Sequence, residues 1–478
     1  MAPPSDADYD NLFKAIEGKM PVLVNLLSAA VAIPSVSAEP ARRPDVVRMI
    51  NWTKQELEKL GVKCELVDIG EEKLHDGGSI ALPPLIFGQL GSDPAKKTVL
   101  IYAHLDVQPA AKEDGWNTDP FTLTEVDEKL FGRGSTDDKG PMIAWFVAIQ
   151  TLQELGIDIP VNIKFVLEGM EESGSLGLDA ALRKAKDSFL SDISFTCISD
   201  NYWLGKTKPC ITYGLRGICY FFAEVECAKQ DLHSGVYGGT MHEAMNDLVW
   251  LFAQLTDVNG NIKIPGLNEM VAPLTAEEEK LYTDMDFDTK DFKNDIGAHG
   301  LVHNSKEKTL QAKMRHPSLS IHGFEGAFSS GGAKTVIPAK VIGKFSIRIV
   351  PNMEPEVVDK LVVEHLNGLW QQRHSPNKFK ATPFHNGRCW VGDHQDKNYQ
   401  AGARALKKVF GVDPDFTREG GSIPITITFQ EVTGNSVMLL PLGAADDMAH
   451  SQNEKMNKSN LLRGTQALAA YLLELAHA

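Results

Sequence analysis

The feature that most constrains this chain is a recurring junction in which an apolar, strand-like stretch runs straight into acidic or imidazole side chains. TVLIYAHLD ends at His104 and Asp106, VNIKFVLEGMEES at Glu171 and Glu172, FTCISD at Asp200, and VMLLPLGAADDMAH at His450. In an open α/β sheet, ligands bind outside the carboxyl ends of the strands. Side chains delivered there by several strands are therefore expected to converge on one crevice. A further acidic pair, Asp137 and Asp138, sits in GRGSTDDKGP.

Imidazoles and carboxylates are the ligands of zinc, manganese and related divalent ions, and none of these segments carries a thiol between its strand and its acid. An arrangement that balances charge puts one ion on His104, Asp137 and Asp200 and a second on Asp137, Glu172 and His450, with Asp137 shared and a bridging hydroxide as nucleophile. Asp106, two positions beyond His104, is placed to accept the second ring N–H and orient the imidazole. Glu171, next to a candidate ligand but not needed as one, is placed to act as general base. Taken singly, an acid after a strand is usually a solvated loop residue or a helix cap, and Asp138 fits a cap for the helix that begins near Pro141. Several such junctions in one chain favour a two-metal hydrolase.

Up to about Trp203, strand-like stretches alternate with helical patterns such as DVVRMINWTKQELEKLG and PMIAWFVAIQTLQELG, whose apolar residues recur at three- and four-residue spacing. This predicts a mainly parallel α/β sheet. The texture then changes. ITYGLRGICYFFAEVEC reads as one long strand, HEAMNDLVWLFAQL as a helix, and KVIGKFSIRIVPNMEPEVVDKLVVEHLNGLWQQ as a strand entering a second helix, while residues 256–330 look irregular. The α/β pattern resumes near Asn398. The expected fold is a discontinuous α/β catalytic domain, residues 1–208 and 393–478, interrupted by an α+β lid and dimerisation domain, residues 209–392.

A chain of 478 residues exceeds one typical core, and 43% hydrophobic with 23% charged residues suits globular packing throughout. The net charge of −15 argues against nucleic-acid binding, since no basic stripe is present to displace counterions. The N-terminal stretch MAPPSDADYDNLFKAIEGKM lacks a secretory pattern, and no apolar run is long enough to span a membrane. Six scattered cysteines without a CxxC pair fit free thiols in a reducing compartment, so a cytoplasmic setting is expected.

HLDVQP, GRGSTDDKGP, EGMEESGS, ISDNYW, DLHSGVYGG and AHSQNE together resemble the M20 family of metallopeptidases, most closely its non-specific dipeptidase branch. The resemblance extends from about VAIPSVSAEP to the C-terminal helix. It implies that His104, Asp137, Glu172, Asp200 and His450 bind two ions, Mn2+ or Zn2+, that Asp137 bridges them, and that Asp106 orients a ligand and Glu171 is the base. It also implies a cis Asp137–Asp138 peptide. Arg348, in the apolar run GKFSIRIV, is the leading partner for a dipeptide carboxylate, because a planar guanidinium can grip it through two parallel bonds. Thr335 and Ser422 match further substrate-binding positions of the branch, and His233 matches a histidine donated to the partner subunit of a homodimer to stabilise an oxyanion. Ala103 and Met448 stand where relatives usually carry glycine. An N-acyl amino acid deacylase or a carboxypeptidase would share the metal chemistry, and a non-catalytic binding protein would not explain the complete ligand set.

Overall fold

The computed structural model describes residues 5–74, 77–421, 423 and 425–478. In chain order, the large sheet begins with β1 (Lys63–Val67), β2 (Leu85–Leu90), β3 (Thr98–His104), β4 (Asn162–Glu168), β5 (Ile193–Ile198) and β6 (Cys210–Leu215). After Arg216 the chain enters a second sheet made of β7 (Gly217–Glu226), β8 (Ser318–Glu325), β9 (Lys340–Ile349) and β10 (Lys378–Gly387). It returns to the large sheet with β11 (Trp390–Val391), β12 (Asp415–Glu419) and β13 (Val437–Leu439).

The large sheet runs β1-β2-β4-β3-β5-β13-β6-β11, with β12 paired to β6. Its centre, β4-β3-β5-β13, is parallel, and antiparallel strands flank it. Every residue of β3 and β4 is buried, as expected where helices cover both faces of a parallel sheet. On one face, helix Lys139–Glu154 packs against Lys458–Glu474, and both bury nearly their whole length. The helical patterns predicted around DVVRMINWTKQELEKLG and PMIAWFVAIQTLQELG form at Arg43–Lys59 and Lys139–Glu154.

The second sheet, in order β8-β9-β7-β10, is antiparallel and covered on one side only. Along β7, buried residues alternate with half-buried ones. The inward side chains Cys219, Phe221, Ala223 and Val225 pack with Leu248 and Phe252 of helix Ala244–Phe252 and with Val358, Val362 and Leu366 of helix Pro355–Arg373. This core is separate from that of the large sheet. The fold is therefore a mainly parallel α/β unit interrupted by an α+β insert. Residues 256–330, expected to be irregular, contain helices Ala276–Asp284, Thr289–Asp295 and Lys306–Met314 as well as β8. Among the described residues no helix is long and apolar enough to cross a membrane.

Candidate functional site

Parallel alignment brings the ends of β3, β4, β5 and β13 to the same edge, and the acidic and imidazole residues that follow them meet there. The two oxygens of Asp137 face different imidazoles: Oδ1 lies 2.9 Å from His104 Nε2, and Oδ2 lies 3.1 Å from His450 Nε2. His104 Nε2 is also 3.5 Å from Asp200 Oδ1, and His450 Nε2 is 3.0 Å from Glu172 Oε2. One ligand atom each of His104, Asp137 and Glu172 lies within 4.8 Å of the other two. This donor set of imidazole nitrogens and carboxylate oxygens around one shared carboxylate fits a pair of divalent ions.

Neighbouring groups fix these side chains. Nδ1 of His104 lies 3.1 Å from the main-chain oxygen of Asp106, closer than the Asp106 carboxylate at 3.5 Å. The Asp106 carboxylate instead accepts the backbone N–H groups of Glu171 and Glu172, at 3.1 and 3.0 Å. Asp106 thus orients the imidazole through its backbone and holds the Glu171–Glu172 turn with its side chain. Gln108 Nε2 donates to Glu172 Oε2 at 2.8 Å.

Asp138 occupies the N-cap position of helix Lys139–Glu154, yet its side chain makes no capping bond. The Asp137–Asp138 peptide is cis, and the Asp138 carboxylate accepts the backbone N–H of His104 at 3.3 Å. The capping role read from its position is replaced by a bond to the candidate ligand strand.

Glu454 is a participant the sequence did not single out, although it closes the AHSQNE motif. Fully buried, it accepts the backbone N–H groups of Gly134, Thr136 and Asp137 and pairs with Arg133 at 2.8 Å. Its carboxylate therefore sets the path of the loop that presents Asp137. Glu454→Gln, which replaces an acceptor oxygen by an N–H donor facing other donors, is expected to lower stability by about 1–3 kcal/mol. Thermal unfolding with and without added Mn2+ would measure this, and an unchanged melting curve would remove Glu454 from the role.

The electrostatics reflect crowded acids. Burial disfavours the charged form of His104, yet Asp200, Asp106 and Asp137 hold its pKa well above the ordinary imidazole value. Hydrogen bonds to Asp137 and Glu172 push His450 up to about 11. Burial pushes Asp200 up to about 6 and Glu171 well above the usual carboxylate range.

A cavity of about 260 Å³ opens onto the cluster, lined by Asp137, Glu171, Asp200, Asn201, Tyr202, Glu419 and His450 among others. A larger chamber of about 630 Å³ adjoins it through Tyr202, Glu419 and Ala449. Met448 lines that chamber with φ of 59°, a left-handed conformation that glycine adopts without strain. Ala103 is buried within β3.

The remaining sequence-predicted residues belong to the insert or its neighbourhood. Arg348 lies on β9, half-buried, opposite Ile218 of β7 and Ser318 of β8. His233 lies in a two-stranded ribbon in which Leu232–His233 pairs with Val336–Ile337; Thr335 immediately precedes the second strand, and its carbonyl accepts Ser234 N–H at 3.1 Å. His233 is exposed, and its Nδ1 accepts the N–H of Gly235 at 3.0 Å. Neither His233, Thr335 nor Arg348 lines the cavity at the cluster. Ser422 lies outside the described residues.

Residues 100–474 match the profile described as Peptidase family M20/M25/M40. The chain is 51% identical over 469 residues to the Cys-Gly metallodipeptidase dug1 of Schizosaccharomyces pombe, covering 98% of each chain. It is 46% identical over 478 residues to the Beta-Ala-His dipeptidase of Rattus norvegicus, covering 100% of this chain and 97% of that one. The crystal structure of human carnosine dipeptidase 1 matches with a TM-score of 0.91 at 46% identity, covering 100% of both chains.

Proposed function

The chain belongs to peptidase family M20, and on that premise we propose that it is a metallodipeptidase that hydrolyses unblocked dipeptides, among them Cys-Gly and β-alanyl-histidine. The observation that carries the chemistry is Asp137, one carboxylate with each oxygen turned to a different imidazole. Full-length identity to enzymes named for these substrates supports the substrate class.

His104, Asp137 and Asp200 would hold one ion, and Asp137, Glu172 and His450 a second, Mn2+ or Zn2+. Such a pair lowers the pKa of a shared water and polarises a carbonyl. Glu171, on the cavity wall, takes a proton from the attacking water as the new C–O bond forms, and returns it to the amine as the tetrahedral oxyanion collapses to a carboxylate and the C–N bond breaks. Arg348, with Thr335 and Ser422, anchors the free carboxylate of the substrate. His233, with its proton on Nε2 because Nδ1 is an acceptor, donates to the oxyanion at the active site of a partner subunit. Val236 and Tyr237, 64% and 45% exposed beside it, are apolar surface suited to a homodimer contact. The cysteines, none in a disulfide, support a reducing, cytoplasmic setting.

The test is release of amino acids from a panel of dipeptides, tripeptides and N-acetyl amino acids, after chelation and again after adding Mn2+ or Zn2+. Cleavage abolished by chelation, restored by metal and confined to dipeptides is the expected result. Preference for acylated or longer substrates would reassign the enzyme to a deacylase or carboxypeptidase.

A further inference from the structure

Arg216 is the sole residue between β6 of the large sheet and β7 of the insert, and its bonds reach both units. Its backbone N–H donates to Glu419 O at 3.1 Å, and its Nε donates to Gly420 O at 3.3 Å. From the same guanidinium, Nη1 donates to His316 O at 3.3 Å and to Ser318 Oγ at 3.1 Å. Glu419 and Gly421, on either side of the Gly420 acceptor, line the cavity at the metal cluster. Ser318, at the other end, stands in register opposite Arg348. A Cβ on Gly420 would come within 2.9 Å of Arg216 Nη2, so the glycine leaves room for the guanidinium. Burial and the adjacent Arg348 charge lower Arg216 to about 10, which still leaves it cationic at neutral pH.

We infer that Arg216 is a positioning residue for substrate recognition: it ties the cavity wall to the strand beside Arg348 and so sets the distance between the reacting carbonyl and the carboxylate grip. The inference rests on the dipeptidase reading. A planar guanidinium can satisfy acceptors on both units at once, which a compact ammonium cannot. A dipeptide is read at its two ends, so its rate depends on that spacing, and a misplacement of about 1 Å lowers turnover by as much as about 10²-fold. A substrate without the carboxylate is indifferent to the grip.

The experiment compares kcat and KM for a dipeptide and for the corresponding dipeptide amide, using metal-loaded wild type and Arg216→Met. The expected result is a wild-type preference for the dipeptide that falls by about 10²-fold in the variant, with metal content unchanged. Ser318→Ala removes one of the bonds without touching the crossover; it should give a weaker fall of the same ratio, and it serves if Arg216→Met does not fold. An unchanged ratio in the folded variant, whatever its absolute rate, overturns the inference and leaves the dipeptidase reading intact. A wild-type enzyme that does not distinguish dipeptide from amide overturns the carboxylate grip and the inference with it.

Discussion

Glu171→Gln is expected to lower kcat by roughly 10²–10⁴ while leaving metal content unchanged. Glutamine keeps the size and the backbone N–H that donates to Asp106 Oδ1, so the turn should survive. It cannot accept a proton from water or hand one to a leaving amine. The neighbouring Glu172 separates the two roles clearly, because its Oε2 faces His450 at 3.0 Å. Steady-state kinetics on a dipeptide, with metal analysis of the same sample, test the assignment. Near-wild-type turnover, or loss of bound metal, would take Glu171 out of the proton-transfer role.

The candidate cluster was legible because four of its five ligands, His104, Glu172, Asp200 and His450, follow apolar strands, and a parallel sheet aligns strand ends. TVLIYAHLD becomes β3, and its last residue, His104, lies at the edge where Asp137, Asp200 and Glu172 gather. What holds the cluster was less legible, since it depends on backbone acceptors and on partners far away in sequence. Nothing in the spacing of Glu454 shows that its carboxylate meets the N–H groups of Gly134, Thr136 and Asp137. Asp138 looks like a cap by position, but the local backbone turns its carboxylate to His104 N–H.

The fold shows the same division. Ile211–Cys227 reads as a single strand because apolar character continues through it, whereas the structure breaks it at Arg216 and shares it between two sheets. A lone arginine in an apolar run does not announce a crossover; its acceptors on both units make it one. Residues 256–330 conceal their helices for a related reason: Ala276–Asp284 and Lys306–Met314 each bury only one or two side chains, so little apolar periodicity is needed.

In the proposed homodimer His233 carries the second large expectation, a loss of about 10²–10³ in kcat for His233→Ala with metals retained. The size follows from the chemistry: a single preorganised donor to a developing oxyanion is worth most in a site from which water is excluded. The geometry supports donation to a neighbour, because the ring is exposed on a ribbon of the insert and Gly235 N–H occupies Nδ1, leaving Nε2–H to point away from its own backbone. A mixed dimer distinguishes donation in trans from action within one chain. Pairing a His233→Ala subunit with an Asp137→Ala subunit leaves one composite site with both an intact ligand set and an intact His233, provided the histidine crosses the interface. Mixing the two impaired proteins under conditions of subunit exchange should then raise dipeptide hydrolysis above the sum of the two alone, in proportion to the mixed dimer formed. If each site used its own His233, every site in the mixture would lack either the histidine or the bridging carboxylate, and no activity would return.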